Sequence, residues 1–236
     1  MHRRAEFRGA AIFFSEGETG IGRILIVVEV QDLRNGKLRG QSHLLTAFFM
    51  GGKVFGKRIN VFFDEDGRCW LYYSRCCYKH PVESEVAEWA RQQGLYEEIE
   101  ESWIYGVEIA PDFSRVIGEP VMLLCPPQKL DDAQAEWESR SVTAGEANRR
   151  WTEGSFLIKR DGTYFMMYSA NFFGGENYAV GYATADSPLG PYTKSPDNPV
   201  LEKNTPEGGI VTGVGHNSIT WSRDGKQLYC VYHGRT

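Results

Sequence analysis

The chain has 236 residues, 42% of them hydrophobic and 24% charged, the balance of a globular protein long enough to bury one large core or two small ones. Its formal net charge of -5 comes without a concentrated basic segment, which argues against nucleic acid as the main partner, and no run of about 18 apolar residues is present to cross a bilayer as a helix. Aromatic residues at 13% and 26 glycines favour many short strands joined by tight turns over a helical bundle.

The N-terminal stretch MHRRAEFRGAAIFF is basic, then briefly apolar. A secretion signal needs roughly 7–15 apolar residues in its centre, so none is expected and a cytoplasmic location is favoured. Residues 24–38 read as a weak hairpin turning at Asn35-Gly36, with Asp32 as a turn residue. Residues 61–74 form a clearer one: an apolar strand, a charged turn ending in Asp66-Gly67, and a second strand rich in aromatics. The same pattern returns at residues 156–169 around Asp161-Gly162 and at residues 219–232 around Asp224-Gly225. Asp-Gly suits such turns because glycine takes positive φ without a Cβ clash. Asp64, Glu65 and Asp66 beside Arg68 are expected to be solvated turn residues.

Residues 82–102 are acidic and read as a helical or disordered insertion, a surface excursion contained within residues 78–150. Residues 178–184 alternate like a strand, and Ser187-Pro-Leu-Gly-Pro191 after them is a turn of fixed-φ and free-φ residues. Five cysteines (Cys69, Cys76, Cys77, Cys125 and Cys230) show neither framework nor metal spacing and are read as ordinary reduced thiols. A hairpin repeated at intervals of some tens of residues points to a β-propeller.

Several segments carry a resemblance. Thr152-Glu153-Gly154-Ser155-Phe156, followed by an Asp-Gly hairpin and Tyr168-Ser169-Ala170-Asn171, resembles the general-acid segment of family 43 glycoside hydrolases, with Ser155 where proline is usual. Residues 178–191, YAVGYATADSPLGP, resemble the next strand and turn of that family. Gly213-Val-Gly-His216 resembles the segment that brings a histidine to the propeller axis, and residues 231–236 the strand after it. The resemblance runs over about residues 59–236, and residues 1–50 match poorly.

The resemblance implies an all-β fold, a five-bladed β-propeller in one domain over 1–236, incomplete at both ends. It implies hydrolysis of arabinose- or xylose-containing oligo- or polysaccharides, as an α-L-arabinofuranosidase or β-xylosidase working with inversion. Such an enzyme needs a protonated carboxyl to release the leaving group and an ionised one, roughly 6.5–9.5 Å away, to activate water; a third charge nearby raises the acid's pKa. Glu153 stands at the general-acid position. Asn60 stands at the pKa-modulator position, where aspartate is expected, and the general base has no counterpart among the recognisable motifs.

Trp151, Asn171, Phe172 and Arg235 are the expected substrate-binding residues. Their aromatic rings either stack on sugars or pack the core, and Arg235 either reaches substrate or is simply solvated. His216 is either a core or turn histidine or a contact, through water, to a structural calcium at the axis; no cofactor is required. The missing base and Asn60 motivate an alternative: a degenerate propeller that binds carbohydrate without turnover.

Overall fold

The computed structural model describes residues 10–13, 25–28, 42–44, 49–50, 53–54, 57–76, 82–224 and 226–236, with side chains described from residue 59 onward. The strands are β1 Ala10–Phe13, β2 Leu25–Val28, β3 Ser42–Leu44, β4 Phe49–Met50, β5 Lys53–Val54, β6 Lys57–Phe63, β7 Cys69–Cys76, β8 Glu100–Ile109, β9 Val116–Leu124, β10 Arg149–Arg160, β11 Thr163–Ala170, β12 Ala179–Ala185, β13 Thr193–Lys194, β14 Thr212–Trp221 and β15 Leu228–Arg235. Short helices α1 (Glu85–Gln92), α2 (Ala135–Glu138) and α3 (Arg140–Thr143) lie between β7 and β10.

Two antiparallel meanders, β6–β9 and β10–β13, form the body of the molecule. A short parallel pairing joins them, setting Glu100, Glu101 and Ser102 of β8 opposite Arg149, Arg150 and Trp151 of β10. The hairpin β14–β15 is a separate two-stranded sheet that packs on β10, β11 and β12. Among the described residues the sheets do not close into a ring.

Strand alternation explains why the meanders have apolar residues on both faces. Phe62, Trp70 and Tyr72 enter one core with Trp137, Leu157, Met166 and Tyr168. Their immediate neighbours Val61, Leu71 and Tyr73 enter a second core with Ile59, Val107 and Ile109. Successive side chains point to opposite faces, so sheets covered on both sides need this unbroken apolar pattern. Burying each such side chain contributes about 1.5–3 kcal/mol.

All three predicted hairpins have paired strands, with Gly225 of the third lying outside the described residues. Asp161 and Gly162 both have positive φ, 51° and 83°, and lie between the paired residues Arg160 and Thr163, the two-residue turn whose twist matches its strands. The β6–β7 turn is longer: Gly67 N–H donates to Asp64 O at 3.1 Å and Asp64 N–H to Arg68 O at 2.9 Å. Of the weak hairpin at 24–38, β2 pairs antiparallel with β1, while Asp32, the Asn35-Gly36 turn and the returning half of the hairpin lie outside the described residues. No disulfide joins two of the described cysteines, of which Cys69 is buried and Cys230 exposed; Cys77 lies outside the described residues.

Two expectations are corrected. Residues 82–102 are not a solvated excursion. Ser84 caps α1 by accepting from the Ala87 N–H at 3.1 Å, and Val86, Ala87 and Ala90 bury against Ile99 and Val142. Glu101 then sits in strand β8, fully buried against fully buried Arg150 at 2.8 Å. Nor is Asp64 a solvated turn residue: its side chain is 1% exposed and accepts from Lys159 Nζ at 2.7 Å and from the Tyr164 hydroxyl, tying the first hairpin to the second. Asp66, in contrast, is exposed and pairs with exposed Arg68.

Candidate active site

Glu153 stands where the β10–β11 ladder breaks. It lies opposite Ser169, and the register then shifts before Phe156 resumes pairing with Met167. Gly154, at the break, has φ +62°, and a Cβ built there would lie 2.9 Å from His216 Nδ1. Glycine is therefore required twice over, by conformation and by the approach of β14.

The Glu153 side chain turns inward: the residue is 2% exposed and Oε1 accepts from the Tyr178 hydroxyl at 2.8 Å. Tyr178 is fully buried, and its ring stacks on His233, centroids 5.7 Å apart and planes 15° apart. His216 is half-buried with φ +51°, and its backbone N–H donates to Ser169 Oγ at 2.8 Å. A non-glycine residue at such φ is costly and persists where its surroundings over-determine it. The strands β10, β11, β12 and β14 thus converge on one carboxyl group.

Beside it lies an aromatic group. Trp151 is 3% exposed; Phe173 stacks on it at 5.7 Å and 18°, and Phe172 meets it edge-on at 6.0 Å. The Arg149 guanidinium covers both the Trp151 and Phe172 rings, at 5.4 and 5.0 Å. Phe173 keeps 43% of its surface exposed and presents an open ring backed by a buried one.

The loop carrying Phe172 and Phe173 is held from two sides. From α3, Ser141 Oγ accepts the Phe172 N–H at 2.8 Å and donates to Glu146 at 2.9 Å, whose other oxygen accepts the Glu176 N–H. From β15, Arg235 donates to Gly174 O at 2.7 Å and to Gly175 O. Asn171 is fully buried at φ +78°. Its amide donates to Trp137 O at 2.6 Å and Asn177 O at 3.1 Å and accepts from the Ser141 N–H at 2.9 Å. Asn171 and Arg235 therefore brace the aromatic loop from beneath.

Asn60 is fully buried in β6. Its Oδ1 accepts the Leu157 N–H at 3.2 Å, four residues beyond Glu153, and its Nδ2 has no hydrogen-bond partner among the described residues. An amide there carries no charge with which to raise the pKa of an acid. For calcium, six to eight oxygen ligands are the rule. Among the described residues no three His, Cys, Asp or Glu side chains gather around His216 or elsewhere, so these residues do not by themselves make up a calcium ligand set. Also among the described residues, no helix is long and apolar enough to cross a membrane.

The structure thus gathers Glu153 and His216 at one junction and Trp151 and Phe172 beside them. Tyr178, His233 and Glu146 went unread as site residues. Of these, Tyr178 lay in a segment readable as a strand; its place near Glu153 comes from the register, two residues before Val180, which pairs with Ser169, itself opposite Glu153. Alternation puts all of them on one sheet face.

Comparison with known proteins agrees with this geometry. The family model for glycosyl hydrolases family 43 matches residues 59–236. The chain is 29% identical over 230 residues to the beta-D-galactofuranosidase xynD of Aspergillus niger, covering 95% of this chain and 50% of that protein. It is 32% identical over 128 residues to an extracellular exo-alpha-(1->5)-L-arabinofuranosidase of Streptomyces chartreusis, covering 52% of this chain and 36% of that one. Among solved structures, a thermostable family-43 glycoside hydrolase superposes with a TM-score of 0.60 at 35% identity, over 75% of this chain and 48% of the other. The chain spans half the length of the Aspergillus relative or less of these others. Glu153, its break in the ladder and the β14 histidine all fall inside the matched region, and the chain belongs to glycosyl hydrolases family 43.

Proposed function

We propose that this chain carries the general acid of a five-bladed β-propeller glycoside hydrolase that cleaves arabinose-, xylose- or galactofuranose-containing glycans with inversion. Glu153 is the general acid: it gives its proton to the glycosidic oxygen as the C1–O bond breaks, while a water loses its proton to a second carboxylate and bonds to C1. The observation that carries this reading is the buried Glu153 carboxyl, held by Tyr178 at a break in the ladder within the family-matched residues. The two four-stranded meanders are two of its blades. The exposed Phe173 ring, backed by Trp151, stacks on a sugar at the mouth of the site, with Phe172 beside it and Asn171 and Arg235 shaping the loop. His216 sets the depth of β14 against Gly154.

A second reading is a propeller that binds glycans without turning them over. It is favoured by Asn60, which offers an amide where a carboxylate would tune the acid. The test is release of nitrophenol from p-nitrophenyl α-L-arabinofuranoside, β-D-xyloside and β-D-galactofuranoside by the purified chain, with NMR reading the anomer formed first. Release with inversion on at least one of them supports the enzyme. A folded chain that binds oligosaccharide, releases nothing from any of the three and binds equally well as Glu153→Gln supports the second reading and ends the first.

A further inference from the structure

We infer that Tyr178 is a positioning residue for the general acid, fixing which oxygen of Glu153 delivers the proton. The inference rests on the reading of Glu153 given above. Glu153, Ser169 and Val180 share one register line across β10, β11 and β12, and Tyr178 lies two residues from Val180 on the same face. Adjacent strands are about 4.8 Å apart, so Tyr178 must reach across β11 to a residue about 10 Å away. On this face the intervening strand offers the small Ser169 between them, with Ala170 turned into the opposite core, which leaves room for the phenol to meet Glu153 Oε1 at 2.8 Å.

The phenol is not free to choose another direction. Tyr178 is fully buried, its ring lies against His233, and Gly215 presses on its edge so closely that an added Cβ would stand 2.1 Å from ring Cε1. Gly215 is thus required for close approach of β14 to this ring. A hydroxyl donating to Oε1 makes that oxygen an acceptor, so the acidic proton resides on Oε2 and the carboxyl cannot rotate away. A proton delivered from a fixed oxygen is worth most when the leaving group is most basic.

The test compares Tyr178→Phe with wild type on two leaving groups. On an unactivated disaccharide, whose departing alkoxide needs the proton, kcat should fall by about ten- to a hundredfold, the loss of one hydrogen bond to a charged or charging group, with KM within about twofold. On the matching 2,4-dinitrophenyl glycoside, whose phenolate leaves unaided, kcat should fall by less than about threefold. Equal losses on both substrates would mean a purely structural tyrosine and overturn the inference. A second measurement does not depend on turnover: the denaturant midpoints of Tyr178→Phe, Glu153→Ala and the double variant. Coupled residues give a double variant no less stable than the worse single one, whereas additive shifts overturn the pairing. If wild type hydrolyses nothing, the glycosidase reading fails, while this cycle still decides whether Tyr178 holds Glu153.

Discussion

The β10–β11 hairpin buries a carboxylate near each end, and in each case a tyrosine hydroxyl donates to it. Near the turn, Asp64 of the neighbouring hairpin accepts from Tyr164 and from Lys159 Nζ. Burial pushes its pKa up, but bonds from Lys159, Tyr164 and the Glu65 N–H together outweigh this and hold it below the usual aspartate range. Asp64 therefore stays ionised and clamps two hairpins. At the far end Glu153 meets Tyr178, and the backbone around it is irregular: the ladder slips, Gly154 has φ +62° and His216 φ +51°. Positive φ near the turn, at Asp161 and Gly162, is what a two-residue turn demands. At the Glu153 end no turn demands it of His216. Burial and a tyrosine partner do not distinguish a structural carboxylate from a functional one; the irregular backbone does.

The sharpest way to break this comparison is to neutralise each carboxyl in turn. Glu153→Gln should lower kcat on unactivated glycosides by about 10²–10⁴-fold, the usual contribution of a general acid, and leave the thermal midpoint close to wild type. Asp64→Asn should do the reverse. Losing a buried, charge-assisted pair costs about 1–3 kcal/mol of stability, read as a lower urea midpoint, while kcat of the folded protein stays within about twofold. A large kcat loss in Asp64→Asn would erase the distinction.

The same pair differs in pH dependence. Because the folded pKa of Asp64 is depressed, its stabilisation is fully present above the unfolded value of about 3.9 and is lost as pH falls through the folded value. Urea midpoints of wild type should thus fall more steeply below about pH 4 than those of Asp64→Asn, and parallel curves would contradict the assignment. A smaller effect is expected at the rim. Phe173→Ala should raise KM for an oligosaccharide by about three- to tenfold, the worth of one exposed stacking contact at about 0.5–1.5 kcal/mol, with kcat within about twofold.

What could be read from the sequence was local. The Asp161-Gly162 turn is legible because two residues decide it, and the strands because apolar residues on both faces mark buried sheets. Glu153 was legible through the motif around it. Asp64 was misread because its partner Lys159 lies 95 residues away, and a carboxylate in a charged turn looks solvated until that partner is known. Residues 82–102 were misread for a similar reason: their acidic composition hides the buried face of α1, and Glu101 is tolerable in β8 only because Arg150 faces it. Tyr178 announced a strand, but its hydroxyl contact depends on how β10, β11 and β12 line up.

The most direct test of the central claim is the leaving-group dependence of Glu153→Gln. Rates are measured on an unactivated disaccharide and on the matching 2,4-dinitrophenyl glycoside, for the variant and for wild type. If Glu153 is the general acid, the variant loses about 10²–10⁴-fold on the first substrate and less than about tenfold on the second, whose leaving group needs no proton. Equal losses on both substrates, or full activity on the disaccharide, would contradict it.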